Sequence, residues 1–319
     1  MSKESKRTPR GVWAMVVAMG VGLIATSQAP AQTVIYDSTG FEPPAFTTGA
    51  LGTFYIPPAT GGQQGWQTTD LAQISGAANG AGQIQNAVSF APGTQSFEII
   101  GQRLVNDTTF SAQTFWFRNA PAGAINPVGS GTPFVTISTR QQVSGTPPVT
   151  TSDMPFVGVY MEGYTAGGTQ QALTSVMRNA NGGITVVGPG GGAFNTSDNI
   201  WSPNTFHNLQ VTLNFNTSGT NPQTLTVTLD GALQSFTPAG GGSAVTTVPF
   251  RNTNGPTTSI AEYGFQASFN TQAGVTSNNA FFDNYVVTAA AVPEPASILL
   301  LCGGAAAAGW QFRRRKVFA

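Results

Sequence analysis

The sequence predicts an all-β protein, a two-sheet antiparallel sandwich of jelly-roll type, flanked by a secretory signal peptide and a C-terminal transmembrane sorting helix. Three observations predict it. The segment between the chain ends is rich in Thr, Val, Phe, Gly, Asn and Pro and poor in Lys and Glu, a composition that favours strands and turns. No part of it shows a sustained 3.6-residue apolar repeat. Both chain ends instead combine an apolar run with basic residues, as targeting segments do.

The N-terminal segment, residues 1–31, has the three parts of a secretory signal peptide. Its basic region contains Lys3, Lys6, Arg7 and Arg10. An apolar stretch follows over 12–26, and Ala29-Pro30-Ala31 offers a small-x-small cleavage site. Cleavage after Ala31 would leave Gln32 first, and a second site at 27–29 leaves the start open by two residues.

Alternating apolar and polar residues predict the strands of the body. The alternation is clearest over 209–215 and 225–229, and the second run leads directly into Asp230-Gly231, a strong signal for a tight hairpin turn with a returning strand at 233–236. The other predicted strands are 34–37, 83–90, 96–100, 112–118, 134–140, 156–162, 172–178, 184–187, 260–269 and 281–288. Short strands separated by Gly, Pro, Asn and Thr loops predict one sandwich domain over 32–291.

The C-terminal apolar run covers 296–312 and contains no charged residue. Its 17 residues are at the short end of what spans a bilayer core. A basic cluster follows at once, formed by Arg313, Arg314, Arg315 and Lys316. By the positive-inside rule this cluster stays in the cytoplasm and everything before Pro293 lies outside.

The order of features in the tail resembles the PEP-CTERM sorting signal. Val292, Pro293, Glu294 and Pro295 open the motif over 292–297, the apolar helix follows, and the basic tail over 313–319 ends it. The resemblance implies secretion machinery and an exosortase as partners, and a transient inner-membrane anchor. It also implies processing near the motif and delivery to the cell envelope, the cell surface or the extracellular space. A plain C-terminal anchor with a chance Pro-Glu-Pro is the alternative.

Charge is distributed unevenly along the chain. The two ends carry eight of the thirteen cations, so the segment 32–292 keeps five arginines against eleven carboxylates, a net charge of minus six. Nucleic acid is therefore excluded as a partner, because phosphate binding requires clustered Lys and Arg. Cys302 is the only cysteine and lies in the apolar run, so the body must be stable without disulfides.

A second resemblance concerns the body. Trp201, His207-Asn208-Leu209, the alternating strand and Asp230-Gly231 follow the order found in concanavalin A-like and laminin G-like sandwich domains. The closing strand over 281–287 is similar as well, and in that fold it lies beside the first strand and the segment 40–42. The resemblance implies glycan or protein binding, often a calcium site near the sandwich rim, and enzymes as a minority.

No catalytic residue is predicted. His207 is the only histidine, which excludes a multi-histidine zinc site, and a structural role at the strand entrance is favoured over a Ser-His-Asp triad. No two carboxylates stand two residues apart on one strand, so a glycosidase pair would need separate strands, with Glu98 and Glu162 as candidates. The run 188–193 matches a dinucleotide-binding spacing, but a loop follows where a helix is required. The body is therefore expected not to be an enzyme.

Two binding sites are hypotheses. Glu42 and Asp283 would form a structural calcium site at the rim if the terminal strands pair, since calcium binds oxygen ligands. Aromatic faces for sugar stacking would come from Trp66, Trp116, Trp201, Tyr160 and Tyr164. For each of these rings, burial in the core is the favoured alternative.

The predicted function is that of an exported structural or matrix-associated protein, linked to exopolysaccharide as the sorting family implies. A calcium-supported, lectin-like carbohydrate-binding module is the first alternative. A glycan hydrolase is the second, and it requires two carboxylates about 5 to 9.5 Å apart.

Overall fold

The computed structural model describes residues 32–51, 53–54, 62–69, 82–100, 113–120, 125–144, 156–179, 181–216, 222–268 and 279–290. The predicted signal peptide and sorting segment lie outside these residues, including 292–295 and 313–316. Within the described ranges, no helix has the length and apolar character needed to cross a membrane.

Strands dominate the described chain. In chain order they are β1 (Gln32–Asp37), β2 (Gly49–Ala50), β3 (Thr53–Phe54), β4 (Gln67–Thr68), β5 (Gly82–Gln85), β6 (Ser96–Ile99), β7 (Gln113–Asn119), β8 (Phe134–Val143), β9 (Phe156–Thr165), β10 (Gln170–Arg178), β11 (Ile184–Val187), β12 (Ala193–Asn195), β13 (His207–Asn214), β14 (Thr224–Leu229), β15 (Ala232–Leu233), β16 (Thr237–Pro238), β17 (Val248–Pro249), β18 (Thr257–Ser268) and β19 (Ala280–Ala290). Single turns of 3-10 helix occur at Thr39–Phe41, Gln63–Gly65 and Pro189–Gly191.

The strands form two sheets, which confirms the predicted sandwich. Sheet A has the order β15-β14-β13-β8-β19-β6-β5-β2, with β1 beside β19 and β17 beside β14. Sheet B has the order β16-β12-β11-β10-β9-β18-β7-β4-β3. The pairs are antiparallel except for β3 with β4.

Most long strands were predicted, with ends that differ by a few residues. The strand predicted over 83–90 ends early, because the Gln85 side-chain oxygen accepts the N–H groups of Ala87 and Val88 at 2.6 and 3.0 Å and bends the chain. The short strands β2, β3, β4, β12, β16 and β17 were not predicted, since two or three residues carry no periodicity.

The predicted hairpin at Asp230-Gly231 is confirmed. Leu209 lies opposite Leu229 in the β13–β14 register, and Asp230 and Gly231 have φ of 50° and 81°. Positive φ at both central positions is the requirement of a tight turn that matches the twist of paired strands.

The predicted adjacency of the first and last strands is also confirmed. β1 pairs antiparallel with β19, and the chain stays beside β19 after β1 ends. The Ser38 N–H donates to the Tyr285 carbonyl at 2.9 Å, and the Tyr285 N–H donates to the Ser38 hydroxyl at 3.0 Å. This pairing carries the segment 40–42 to the rim of the sandwich next to Asp283.

The core fills the space between the inner faces of the sheets and is unusually aromatic. Trp66 stacks on Phe265 with 5.3 Å between ring centroids and 9° between planes, and Phe265 also packs against Phe282 at 4.5 Å. The body contains no cysteine. Burial of rings of this size therefore stabilises the fold without help from a disulfide.

Candidate functional site

The tryptophans predicted as sugar platforms lie in the core, which corrects that prediction. Trp66 and Trp116 are fully buried and Trp201 is 1 % exposed. Tyr160 is 3 % exposed, and Tyr164 is half-buried. The three tryptophans are packed among the other residues of the hydrophobic core, so their rings offer no face to a sugar.

Two glutamates meet instead on the outer face of sheet B. Val159 and Met161 of β9 are buried in the core, so the alternating residues Tyr160 and Glu162 occupy the opposite face. Glu162 lies directly across from Glu262 of β18 in the strand register. Directly opposed residues of antiparallel strands have their side chains on the same face and close together.

One glutamine bridges the two carboxylates. Gln170 Nε2 donates to Glu162 Oε2 at 2.8 Å and to Glu262 Oε1 at 3.0 Å. These two oxygens are therefore at most about 5.8 Å apart, the sum of both bonds. The Tyr160 hydroxyl donates to the second Glu262 oxygen at 3.3 Å. We call Glu162 and Glu262 the carboxylate pair.

The environment separates the roles of the pair. Burial, followed by the charge of Glu162, raises the pKa of Glu262 to about 6, although hydrogen bonds from Gln170 and Tyr160 oppose the shift. Burial also raises the pKa of Tyr160 well above its usual value, and the neighbouring carboxylates add to this. Glu262 therefore retains a proton to a higher pH than an ordinary glutamate, which is the property of a general acid.

Glu98, the other half of the predicted pair, lies elsewhere, and this is a correction. It belongs to β6 of sheet A and accepts hydrogen bonds from Gln83 at 2.8 Å and Asn279 at 2.7 Å. Glu262 was missed although its strand was predicted. Periodicity assigns residues to a face but does not give the register that sets Glu262 opposite Glu162.

Glu42 and Asp283 meet at the rim, where the hypothesis placed them. Glu42 accepts hydrogen bonds from the N–H and hydroxyl of Thr94 and from the Gln95 N–H. Asp283 accepts the N–H of Phe90 at 2.9 Å. A Cβ at Gly93 would lie 2.8 Å from a Glu42 oxygen and 3.5 Å from an Asp283 oxygen, so this glycine leaves the space beside both carboxylates open.

Burial and the charge of Glu42 both contribute to the raised pKa of Asp283. Burial raises the pKa of Asp283 to about 6, hydrogen bonds from Phe90 and Asn284 oppose it, and the charge of Glu42 adds to it. Within the described ranges no group of three or more His, Cys, Asp or Glu residues could hold a metal. A calcium ion here would need amide or carbonyl oxygens as well, and the Asn284 side-chain oxygen faces Gly40 together with Asp283.

Comparison with known proteins identifies the tail. Residues 291–316 match the PEP-CTERM protein-sorting motif. The match includes both the Pro-Glu-Pro segment and the basic cluster, so the chain carries the signal of a protein that is exported and sorted by an exosortase. A comparison of the sequence with curated proteins found no match.

Several solved structures are similar to the body. A carbohydrate esterase from the Shiga toxin-encoding bacteriophage phi24B has 14 % identity and a TM-score of 0.42, covering 77 % of this chain and 100 % of its own. The alginate lyase vAL-1 from Chlorella virus has 12 % identity and a TM-score of 0.40, covering 70 % and 98 %. An alginate lyase from Aplysia kurodai has 10 % identity and a TM-score of 0.41, covering 76 % and 99 %.

These matches correct the expectation that the body is not an enzyme, because the similar structures are a carbohydrate esterase and alginate lyases. Identities of 10 to 14 % assign none of those reactions to this chain. Any activity has to be argued from its own side chains.

Proposed function

We propose that this exported β-sandwich hydrolyses glycosidic bonds in a neutral polysaccharide, with Glu262 as general acid and Glu162 as nucleophile. The observation that carries the proposal is the carboxylate pair, bridged by Gln170 on the outer face of sheet B. Enzymes that retain anomeric configuration use carboxyl groups about 5 to 5.5 Å apart, whereas inverting enzymes need about 6.5 to 9.5 Å. The upper limit of about 5.8 Å for the bridged oxygens fits the retaining spacing.

The raised pKa of Glu262 assigns it the acid role. Glu262 holds a proton up to a pH of about 6 and would give it to the leaving-group oxygen as the glycosidic bond breaks. Glu162 would then form the bond to the sugar, and the ionised Glu262 would activate the water that releases it. Tyr160 would orient Glu262 through its hydrogen bond.

Charge around the pair supports a neutral substrate. The hydrogen-bond partners of the two carboxylates, Gln170 and Tyr160, are uncharged. Two glutamates without a cation among those partners would repel the carboxylates of a uronate polymer. Exopolysaccharide is also the type of partner that the sorting signal suggested.

The test is a polysaccharide panel. The purified exported protein is incubated with neutral and uronate polymers, new reducing ends are counted, and proton NMR records the first anomer released. We expect hydrolysis of a neutral polymer with retained configuration, and a loss of at least 100-fold in Glu162→Gln and Glu262→Gln, as removal of a catalytic acid or base costs. Asp198→Asn removes one exposed carboxylate as the control. Equal rates in wild type and Glu262→Gln would contradict the assignment.

A second role, contact with matrix polysaccharide, is favoured by the outer face of sheet A. Register places Thr226, Thr212, Thr136 and Thr288 in one row across β14, β13, β8 and β19. The Thr136 and Thr212 hydroxyls are 3.2 Å apart. Neighbouring strands lie about 4.8 Å apart. The threonine hydroxyls of this row are therefore displayed at a regular interval to a neutral, hydroxyl-rich partner.

Calcium is proposed as a structural cofactor at the rim. Glu42, Asp283 and the side-chain oxygen of Asn284 would hold it, and the ion would offset the repulsion between the two carboxylates. The ion would stabilise the junction of the first and last strands. A role in holding sugar-binding loops is not proposed for it, because the tryptophans lie in the core.

A further inference from the structure

The only histidine of the chain lies between a serine and an aspartate, far along the sequence from the carboxylate pair. His207 Nε2 is 3.1 Å from Ser202 Oγ, and His207 Nδ1 is 2.7 Å from Asp230 Oδ2. A nucleophile, a base and an orienting carboxylate in this order define a serine-hydrolase triad, which is recognised by geometry and not by sequence position.

The fold fixes the aspartate. The Asn208 N–H donates to Asp230 Oδ1 at 2.7 Å, which leaves Oδ2 directed at the imidazole. Burial raises the pKa of Asp230, but hydrogen bonds from Asn208 and His207, with the charges of His207 and Arg140, outweigh it and lower the pKa. The Asp230 carboxylate therefore stays ionised and favours the tautomer with a proton on His207 Nδ1.

The imidazole is sheltered while the serine is accessible. Only 9 % of the His207 side chain is exposed, and the Trp201 ring packs against it edge-on at 5.6 Å. Ser202 is exposed. The Asn208–Asp230 hydrogen bond already joins the strand to the hairpin without any contribution from Ser202.

We propose that Ser202, His207 and Asp230 form an esterase site for carboxylic esters, such as acyl groups carried by a polysaccharide. Ser202 Oγ bonds to the ester carbonyl carbon as its proton passes to His207 Nε2. The alcohol leaves with that proton, and an acyl-serine remains. Water, deprotonated by His207, then attacks the acyl-serine, which releases a carboxylic acid and restores Ser202.

Pro203 sets the expected rate. The residue after the nucleophile has no N–H and cannot donate to the developing oxyanion. Loss of one such donor costs about 100- to 1000-fold in rate, so the site is expected to be a slow esterase. The Ser202 carbonyl oxygen lies 3.2 Å from His207 Nε2. It can accept a hydrogen bond from the protonated imidazole, and so it stabilises the imidazolium that forms when Ser202 gives up its proton.

Covalent labelling tests the site independently of the glycosidase proposal. The exported protein is purified and incubated at pH 8 with a fluorophosphonate probe, and labelled peptides are sequenced by mass spectrometry. We expect one label on Ser202, absent in Ser202→Ala and at least 100-fold slower in Asp230→Asn, with a pH profile shifted to lower pH because the neighbouring negative charge is removed. Ser197→Ala, which removes an exposed serine of a nearby loop, should label as wild type does.

Folding is monitored by thermal melting, and Ser202→Ala should match wild type because Ser202 is an exposed residue. Since Glu262→Gln leaves the triad intact, it should label normally even if glycan hydrolysis fails. Absence of label on Ser202 in folded wild-type protein would overturn the proposal and make His207 a structural tie. Equal labelling of Ser202 and other exposed serines would do the same.

Discussion

Replacing Glu262 by glutamine should make the protein more stable at neutral pH while it abolishes glycan hydrolysis. In the folded protein the pKa of Glu262 is raised from 4.5 to about 6. The folded state therefore binds this proton more tightly than the unfolded state. The associated stability is fully present below pH about 4.5 and is lost as the pH rises through about 6.

The size of the effect follows from the shift. A pKa difference of one unit corresponds to about 1.4 kcal/mol, so ionisation of Glu262 costs at most about 2 kcal/mol at pH 7. Because the side chain is partly exposed, solvent screening reduces this to about 1 kcal/mol. Glutamine is neutral at all pH values, so the variant escapes this cost. Its side-chain oxygen can still accept the hydrogen bond from Gln170, and its amide N–H can donate to the Tyr160 oxygen in place of the bond that Tyr160 donates to Glu262.

Urea unfolding at pH 7.5 and pH 4 measures the difference. We expect Glu262→Gln to exceed wild type by about 1 kcal/mol at pH 7.5 and to equal it at pH 4. Asp198→Asn removes the same charge from an exposed loop and should show neither change. The same stability difference at both pH values, or a variant less stable than wild type at pH 7.5, would refute the raised pKa assigned to Glu262.

Three further predictions concern the rim, the sheets and the tail. Calcium at 100 times its Kd should stabilise the protein by about 2.7 kcal/mol, which is measured as a rise in melting temperature. Asp283→Asn should remove this rise and Asp198→Asn should retain it, whereas a melting temperature unchanged by calcium would exclude the rim site. Gly264→Ala should cost about 3 kcal/mol in urea unfolding, because the added Cβ would clash with the Trp116 backbone carbonyl. Gly240→Ala, with open space around it, should stay within about 0.5 kcal/mol, and equal effects would contradict the close approach of β18 and β7. Export in hosts with and without an exosortase should give a body ending near Val292 only when the protease is present, as read by intact mass; an uncut basic tail in both hosts would make the segment a plain anchor.

The sequence by itself determined the sorting tail and most of the sandwich. Four successive motif residues, an uncharged run and four cations are local features, so they are readable without any tertiary contact. Strand alternation and the Asp230-Gly231 turn are equally local, because side chains alternate every residue and the turn requires positive φ at both positions.

Only the tertiary structure decided which side chains meet. Trp116 was predicted to face either way, and the facing sheet determined that it enters the core. Glu262 is 100 positions from Glu162 in the sequence, and Ser202 and Asp230 reach His207 from a loop and a hairpin. Strand register and loop closure bring such groups together, and neither leaves a periodic trace in the residues themselves.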